Sequence, residues 1–258
     1  MPGKKSWFRA IEKIVNRNGA SVEKVVLFGR EKECQFITGL MNGRKNIIVY
    51  GEEGTGKSAI IHEIIHRRKG RNVLYSRSSK TLKQSLINPI LFHGKGNKNI
   101  TNMNISMLRK AFFSMLDREK PAYIIFDHVE LVTPRLYSFF LYVMDKKIPL
   151  IMISRGIRKQ DIDHLRMILF DFIKVEITNL EKSATDKLVD YFVKEFNIKV
   201  NRTDDFRKDI YKFSGGSPKI VKELCFMAKD AKYHYCGNCN VRLIDLDRRI
   251  GKATGGSA

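Results

Sequence analysis

Acidic residues are scarce in this chain. Asp and Glu number 27 against 48 Lys and Arg in 258 residues, a formal net charge of +21 at pH 7. A solvated surface does not need that imbalance. A polyanionic partner accounts for it, nucleic acid being the commonest one; a lysine-rich proteome would leave the same mark. Cysteine is sparse too. Four cysteines, two of them isolated, exclude the disulfide framework of a small secreted protein. Long apolar runs are missing: the longest, such as FFLYVM, fall far short of a bilayer span. The opening MPGKKSWFRAIEKIV is basic and amphipathic but lacks the apolar stretch of a secretory signal. The expectation is a cytoplasmic protein in a reducing compartment, without membrane attachment. Hydrophobic residues make up 43% of the chain, enough for a sizeable core.

Periodicity gives the organisation. Residues 1–24 read as a basic helical segment. VVLFGREKECQFITGLM follows as a short extended piece and an amphipathic helix. NIIVYG, NVLYS, PAYIIFD, PLIMIS and FIKVEI are short, branched, apolar runs that read as buried parallel strands, with helical patterns between them. Such alternation predicts an α/β fold, a parallel sheet sandwiched by helices. After Thr178 the pattern is all-helical, in SATDKLVDYFVKEF, TDDFRKDIYKF and SPKIVKELCFMAKD. The expected divisions are a core over 25–179, a small helical domain over 180–231, and a short basic tail over 232–258 ending in flexible composition.

The loop GEEGTGKS matches G-x-x-x-x-G-K-S/T between a strand and a helix, the context that identifies a phosphate-binding P-loop. Its glycines let backbone N–H groups curl around phosphate oxygens, and the helix N-terminus adds partial positive charge. The predicted cradle is Gly51, Glu52, Glu53, Gly54, Thr55, Gly56, Lys57, Ser58 and Ala59. Lys57 is the residue to reach the β- and γ-phosphates, and Ser58 the one to ligate Mg²⁺. The partner acid belongs at the end of a later strand, where YIIFDHVE supplies Asp127 as the second Mg²⁺ residue. Hydrolysis also needs a group to orient water. Glu130 and His128 are both candidates; if neither acts, the protein is a slow switch. PLIMISRG ends a strand at Ser154 and Arg155, where a polar side chain can meet the γ-phosphate or the water. An ordinary strand-end serine is the other possibility.

Together FGREKECQFI (28–37), GEEGTGKS, IIFD, IMIS and FSGGSPKIVKEL (213–224) resemble the AAA+ and related STAND-type ATPases over about residues 25–230. The resemblance implies a P-loop core followed by a helical lid, with ATP as the nucleotide. It puts Phe28 and Arg30 near the adenine, makes Ser154 the first sensor, and places Pro218 and Lys219 at the lid helix that carries the second. His128 stands where the family usually has an acid, and Lys219 where it usually has arginine. Such ATPases work as homo-oligomers, rings or filaments, through an arginine supplied by a neighbour. Arg166 in DIDHLRMILFDF is the first candidate for it and Arg158 the second; a plain surface charge is the alternative for Arg166.

No Asp or Glu interrupts residues 67–110, which hold Arg67, Arg68, Lys69, Arg71, Arg77, Lys80, Lys83, Lys95, Lys98, Arg109 and Lys110. Such a stretch suits sequence-independent, salt-sensitive phosphate contact. Few aromatics interleave it, so duplex DNA backbone is favoured over stacking on single-stranded bases. About 27 residues follow the lid, too few for the winged-helix reader of origin-recognition ATPases. The pattern is therefore closer to transposon-encoded AAA+ regulators, which assemble on duplex DNA and recruit a transposase. The expected function is a nucleotide-gated DNA-binding ATPase acting in transposition or replication. A STAND-like switch controlling a protein partner and an ATP-driven DNA motor are the alternatives. Cys236 and Cys239 form half a zinc site, with His234 beside them and Cys225 as a possible third ligand, but inert thiols are the default. Cys34 reads as core.

Overall fold

The computed structural model describes residues 27–68, 73–92, 100–235 and 238–254. The expected helical segment 1–24 lies outside them, as do Lys69, Arg71, Lys95, Lys98 and Cys236. Contacts divide the chain into two compact units. The first contains residues 33–51 and 57–176; the second contains Leu27–Lys32, Glu52–Gly56 and the chain from Ile177.

The first unit is built on five parallel strands: β1 (Asn46–Tyr50), β2 (Val73–Ser76), β3 (Tyr123–Val129), β4 (Leu150–Ser154) and β5 (Phe172–Glu176). Their order is β2-β3-β4-β1-β5. The inner residues Ile47, Ile48 and Val49 of β1, and every residue of β2 and β4, are buried. Unbroken burial, rather than alternation, requires cover on both faces of the sheet. Flanking helices supply it: α1 (Glu31–Asn42), α2 (Lys57–Arg67), α3 (Leu82–Phe92), α4 (Ile105–Glu119), α5 (Pro134–Asp145) and the single turn α6 (Lys159–Ile162). Local chemistry starts and stops them. The Asn104 side chain accepts from the Met107 N–H, and Thr133 caps α5 just before Pro134, whose missing N–H costs nothing at a first helical position. Lys120 ends α4 in a left-handed conformation, returning its N–H to the Leu116 carbonyl. Phe112, Phe126, Phe139 and Phe140 fill the core between β3 and these helices, Phe126 meeting Phe139 edge-on at 6.0 Å.

The second unit is helical: α7 (Lys182–Glu195), α8 (Thr203–Ser214), α9 (Pro218–Met227) and α10 (Val241–Thr254), with a two-stranded hairpin, β6 (His234–Tyr235) and β7 (Asn238–Cys239), before α10. The three helical patterns after Thr178 are α7, α8 and α9. Helix α10 was not foreseen: it falls in the stretch read as a tail. Val241 and Ile244 bury one of its faces in the same core as Val189, Ile210, Val221 and Leu224. Among the described residues no helix is long and apolar enough to cross a membrane.

Candidate nucleotide site

Strand β1 delivers the chain into the phosphate loop at Gly51, and α2 leaves it at Lys57. Gly54 and Gly56 sit at φ 86° and 93°, conformations that L-residues rarely adopt and that turn successive N–H groups inward. The Lys57 ammonium donates to the Gly51 carbonyl at 2.7 Å, folding over the start of the loop it is expected to serve. Glu52 and Glu53 are exposed, whereas Ser58 and Ala59, in the first turn of α2, are half-buried.

The loop's middle, Glu52–Gly56, belongs to the second unit, and that unit grips it through backbone and side chain. The buried Arg30 guanidinium donates to the Thr55 carbonyl at 3.1 Å and to the Thr178 carbonyl. Arg30 was expected to lie near the adenine; its bonds are to these main-chain carbonyls. Phe28 packs on the helical core, 5.9 Å from Tyr191 between ring centres. At the start of α9, Lys219 N–H donates to the Gly54 carbonyl at 3.2 Å, and its ammonium pairs with Glu53 at 2.5 Å. The Pro218 ring approaches Gly56, and a Cβ on Gly54 would stand 2.7 Å from that of Lys219. Pro218 and Lys219, expected at the helix that carries the second sensor, thus contact Glu53, Gly54 and Gly56.

Across the first unit, Asp127 occupies a bulge. From Phe126 to Val129 β3 advances three residues while β4 advances two, Met152 to Ser154. The extra residue breaks the alternation and leaves His128 exposed at φ 51°, with Asp127 only 2% exposed. One carboxylate oxygen, Oδ1, accepts the His128 N–H at 2.7 Å. The other, Oδ2, accepts the Tyr75 hydroxyl at 2.6 Å. Tyr75 in turn lies 3.0 Å from His62 Nε2. Burial, then the Asp127 charge, hold the Tyr75 hydroxyl well above its usual value, against a smaller effect of Arg77; it is a proton donor. Burial pushes His62 below the ordinary histidine value; Asp127 opposes that shift and Arg77 adds to it. Neither Tyr75 nor His62 was picked out from the sequence, where one reads as strand core and the other as helix interior.

The water-orienting candidates differ in their surroundings. Glu130 is paired with Lys80 at 2.9 Å, and His128 points to solvent. Ser154, buried at the end of β4, donates to the Gly156 carbonyl at 2.8 Å. Ser58 and Asp127 offer hard oxygen donors, the type Mg²⁺ takes while keeping waters and nucleotide phosphates as its remaining ligands. The donor chemistry fits that ion. Among the described residues no group of three or more His, Cys, Asp or Glu could hold a metal.

Comparison with solved structures agrees with this geometry. Replication initiator DnaA bound to AMPPCP and single-stranded DNA matches with a TM-score of 0.57 at 18% identity, over 90% of this chain and 69% of that one. AMPPCP-bound DnaA from Aquifex aeolicus matches at 0.56 and 17%, over 90% and 68%. A Walker-type ATPase of Pyrococcus abyssi matches at 0.61 and 14%, over 94% and 78%. The chain has the P-loop NTPase α/β fold of these structures. At these identities the likeness is one of fold. No protein-family model and no curated protein matches the chain.

On this fold the remaining candidates are spread widely. Arg166 is exposed on the 3-10 turn His164–Asp171, and Arg158 precedes α6, its N–H bonded to Asp161. Of the basic stretch, Arg77, Lys83, Arg109 and Lys110 are exposed; Arg67 pairs with Glu63, Arg68 with Asn42 and Lys80 with Glu130. Cys34 and Cys225 are buried and Cys239 half-buried. Burial pushes the Cys225 thiol up to about 12, the nearby Cys239 adding to it, and the Cys239 thiol up to about 11. At pH 8 both are therefore held as thiols rather than the reactive thiolate. Iodoacetamide is expected to spare both in the folded protein and modify both in urea, read by peptide mass. Rapid labelling of the folded protein at either position would contradict this.

Proposed function

We propose that the protein binds and hydrolyses Mg·ATP at the phosphate loop and assembles on DNA as a nucleotide-gated regulator in the cytoplasm. The observation that carries the nucleotide part is the loop of positive-φ glycines opening α2 after a buried strand, in a sheet whose β3 carries a buried, doubly hydrogen-bonded Asp127 at the bulge near its end. Lys57 and the loop N–H groups hold the phosphates; Ser58 and Asp127 hold the metal, which when bound neutralises charge on the phosphate oxygens. Ser154 and Lys219 report on the γ-phosphate, and Glu130 or His128 orients the water. Phe28 lies on the adenine side. Arg166 serves a neighbouring copy's nucleotide, so the protein acts as a homo-oligomer able to present a bound assembly to a protein partner.

The DNA part is supported by a net charge of +21 and by the exposed cations Arg77, Lys83, Arg109 and Lys110 in a stretch without acids. Duplex backbone is the favoured ligand. Lys80 ties the DNA role to turnover: a phosphate that draws it away frees Glu130 for water.

Two measurements test the whole. Binding to labelled duplex DNA is followed with ATP, AMPPCP, ADP and no nucleotide over a salt series, with sizing of the complexes. Triphosphate is expected to drive a large complex whose affinity falls steeply with salt. ATP turnover is expected to rise on adding duplex DNA. Binding that ignores both nucleotide and salt would sink the DNA role.

A further inference from the structure

We propose that Tyr75, braced by His62, is the residue that aims the Asp127 carboxylate at the metal of the bound nucleotide. This rests on the assignment of Asp127 to Mg²⁺ made above.

Asp127 needs such a residue. It sits at the bulge in β3, where regular pairing with β4 lapses between Phe126 and Val129. The ladder therefore does not by itself fix where the carboxylate points. The His128 N–H holds one oxygen, but His128 is the bulged residue itself and is exposed. The second anchor comes from another strand. The Tyr75 hydroxyl reaches Oδ2 at 2.6 Å, in the range of a charge-assisted O–H···O⁻ bond. A carboxylate has about four lone-pair sites, so two donors leave room for metal-bound water.

Tyr75 is itself immobilised. Its ring is 3% exposed and packs on the His62 imidazole, 4.7 Å between centres at 60°. The directions of the two bonds follow from proton count. The hydroxyl has one proton, and the buried carboxylate oxygen can only accept. The 3.0 Å contact with His62 Nε2 is then a bond that His62 donates, with the proton on Nε2. The chain runs His62 N–H to Tyr75 O–H to Asp127. It starts on α2, the helix whose first residue is Lys57, crosses β2 and ends on β3. The helix that carries the phosphate-binding lysine thus also sets the metal-side carboxylate.

The test compares the full-length wild type with Tyr75→Phe, which keeps the ring and removes only the hydroxyl. Binding of a fluorescent ATP analogue is titrated in EDTA and then against rising Mg²⁺, with urea stability as a control. Outer-shell partners of metal ligands are worth roughly 10–100-fold in metal affinity. The Mg²⁺ midpoint is expected to rise about tenfold in Tyr75→Phe, while affinity in EDTA stays at the wild-type value. His62→Leu should shift the midpoint in the same direction, and His62→Gln, which keeps a donor at similar reach, should restore it. These two variants decide the matter if Tyr75→Phe does not fold. A wild-type midpoint in both Tyr75→Phe and His62→Leu overturns the proposal and leaves the nucleotide site intact. A wild-type protein that binds no nucleotide in either condition overturns the nucleotide site, and this proposal with it.

Discussion

Lys57→Ala is expected to abolish nucleotide-driven behaviour while leaving the protein folded. Its ammonium is the cation expected at the β- and γ-phosphates, inside a loop that otherwise presents only N–H dipoles. Truncating one partner of a desolvated, hydrogen-bonded charge pair costs about 3 kcal/mol, roughly a hundredfold in Kd. The cost to the free protein is much smaller. Lys57 makes a half-buried bond to the Gly51 carbonyl, and losing one such bond costs about 1 kcal/mol. Isothermal titration with ATP and Mg²⁺ should therefore show binding lost beside a urea midpoint lowered only by the equivalent of about 1 kcal/mol, and the triphosphate-dependent complex on duplex DNA should disappear. Lys57→Arg is not expected to rescue, because a planar fork replaces a compact ammonium in a fitted loop. Wild-type affinity in Lys57→Ala would mean that the triphosphate is held elsewhere.

The strands were legible because burial on both faces leaves a strong mark: residues 47–49 of β1 and 150–153 of β4 are unbroken apolar runs. The lid helices were legible from their period. Helix α10 was not, because its sequence VRLIDLDRRIGKAT is dominated by charge and precedes a glycine-rich end. Two of those charges are largely withdrawn from solvent: Asp245 is 4% exposed, and the Arg248 side chain 10%. Composition marks such residues as solvated, and only pairing in three dimensions lets them be buried.

The site divides in the same way. The GEEGTGKS pattern is legible because it is local, eight successive residues between a strand and a helix. Asp127 was found from a strand end. The residues bonded to it were not: Tyr75 is 52 positions away on another strand and His62 is 13 from Tyr75, and nothing in either local pattern separates a tyrosine that bonds a carboxylate from any other core tyrosine. The ion pair of Glu130 with Lys80 joins two residues that had been given unrelated roles, one for water and one for DNA. Such couplings depend on which strands are neighbours. The order β2-β3-β4-β1-β5 sets β2 beside β3, and so brings the loop after β2 to the end of β3.

Asp245→Ala should destabilise the helical unit by about 3 kcal/mol or more. Asp245 accepts from Arg248 at 2.6 and 3.1 Å through Oδ1, and pairs with Arg249 at 2.7 Å through Oδ2. Arg248 also reaches Glu223 of α9 at 3.4 Å, so the cluster fastens α10 to its neighbour. Removing Asp245 leaves a largely buried guanidinium with only its longer contact to Glu223. Breaking a buried pair in this way costs about 3 kcal/mol or more, mainly as uncompensated charge rather than lost attraction. Urea denaturation followed by helical circular dichroism should show that loss. Asp245→Leu combined with Arg248→Met should recover much of it, because replacing both charges by apolar groups of similar volume is often near neutral. If the double variant is as unstable as the single one, the cluster does more than compensate its own burial: it specifies where α10 docks. If the single change costs under about 1 kcal/mol, the range of exposed ion pairs, water reaches Arg248 and α10 is held without this cluster, by Val241 and Ile244 in the core and by Asp247 bonded to Tyr233.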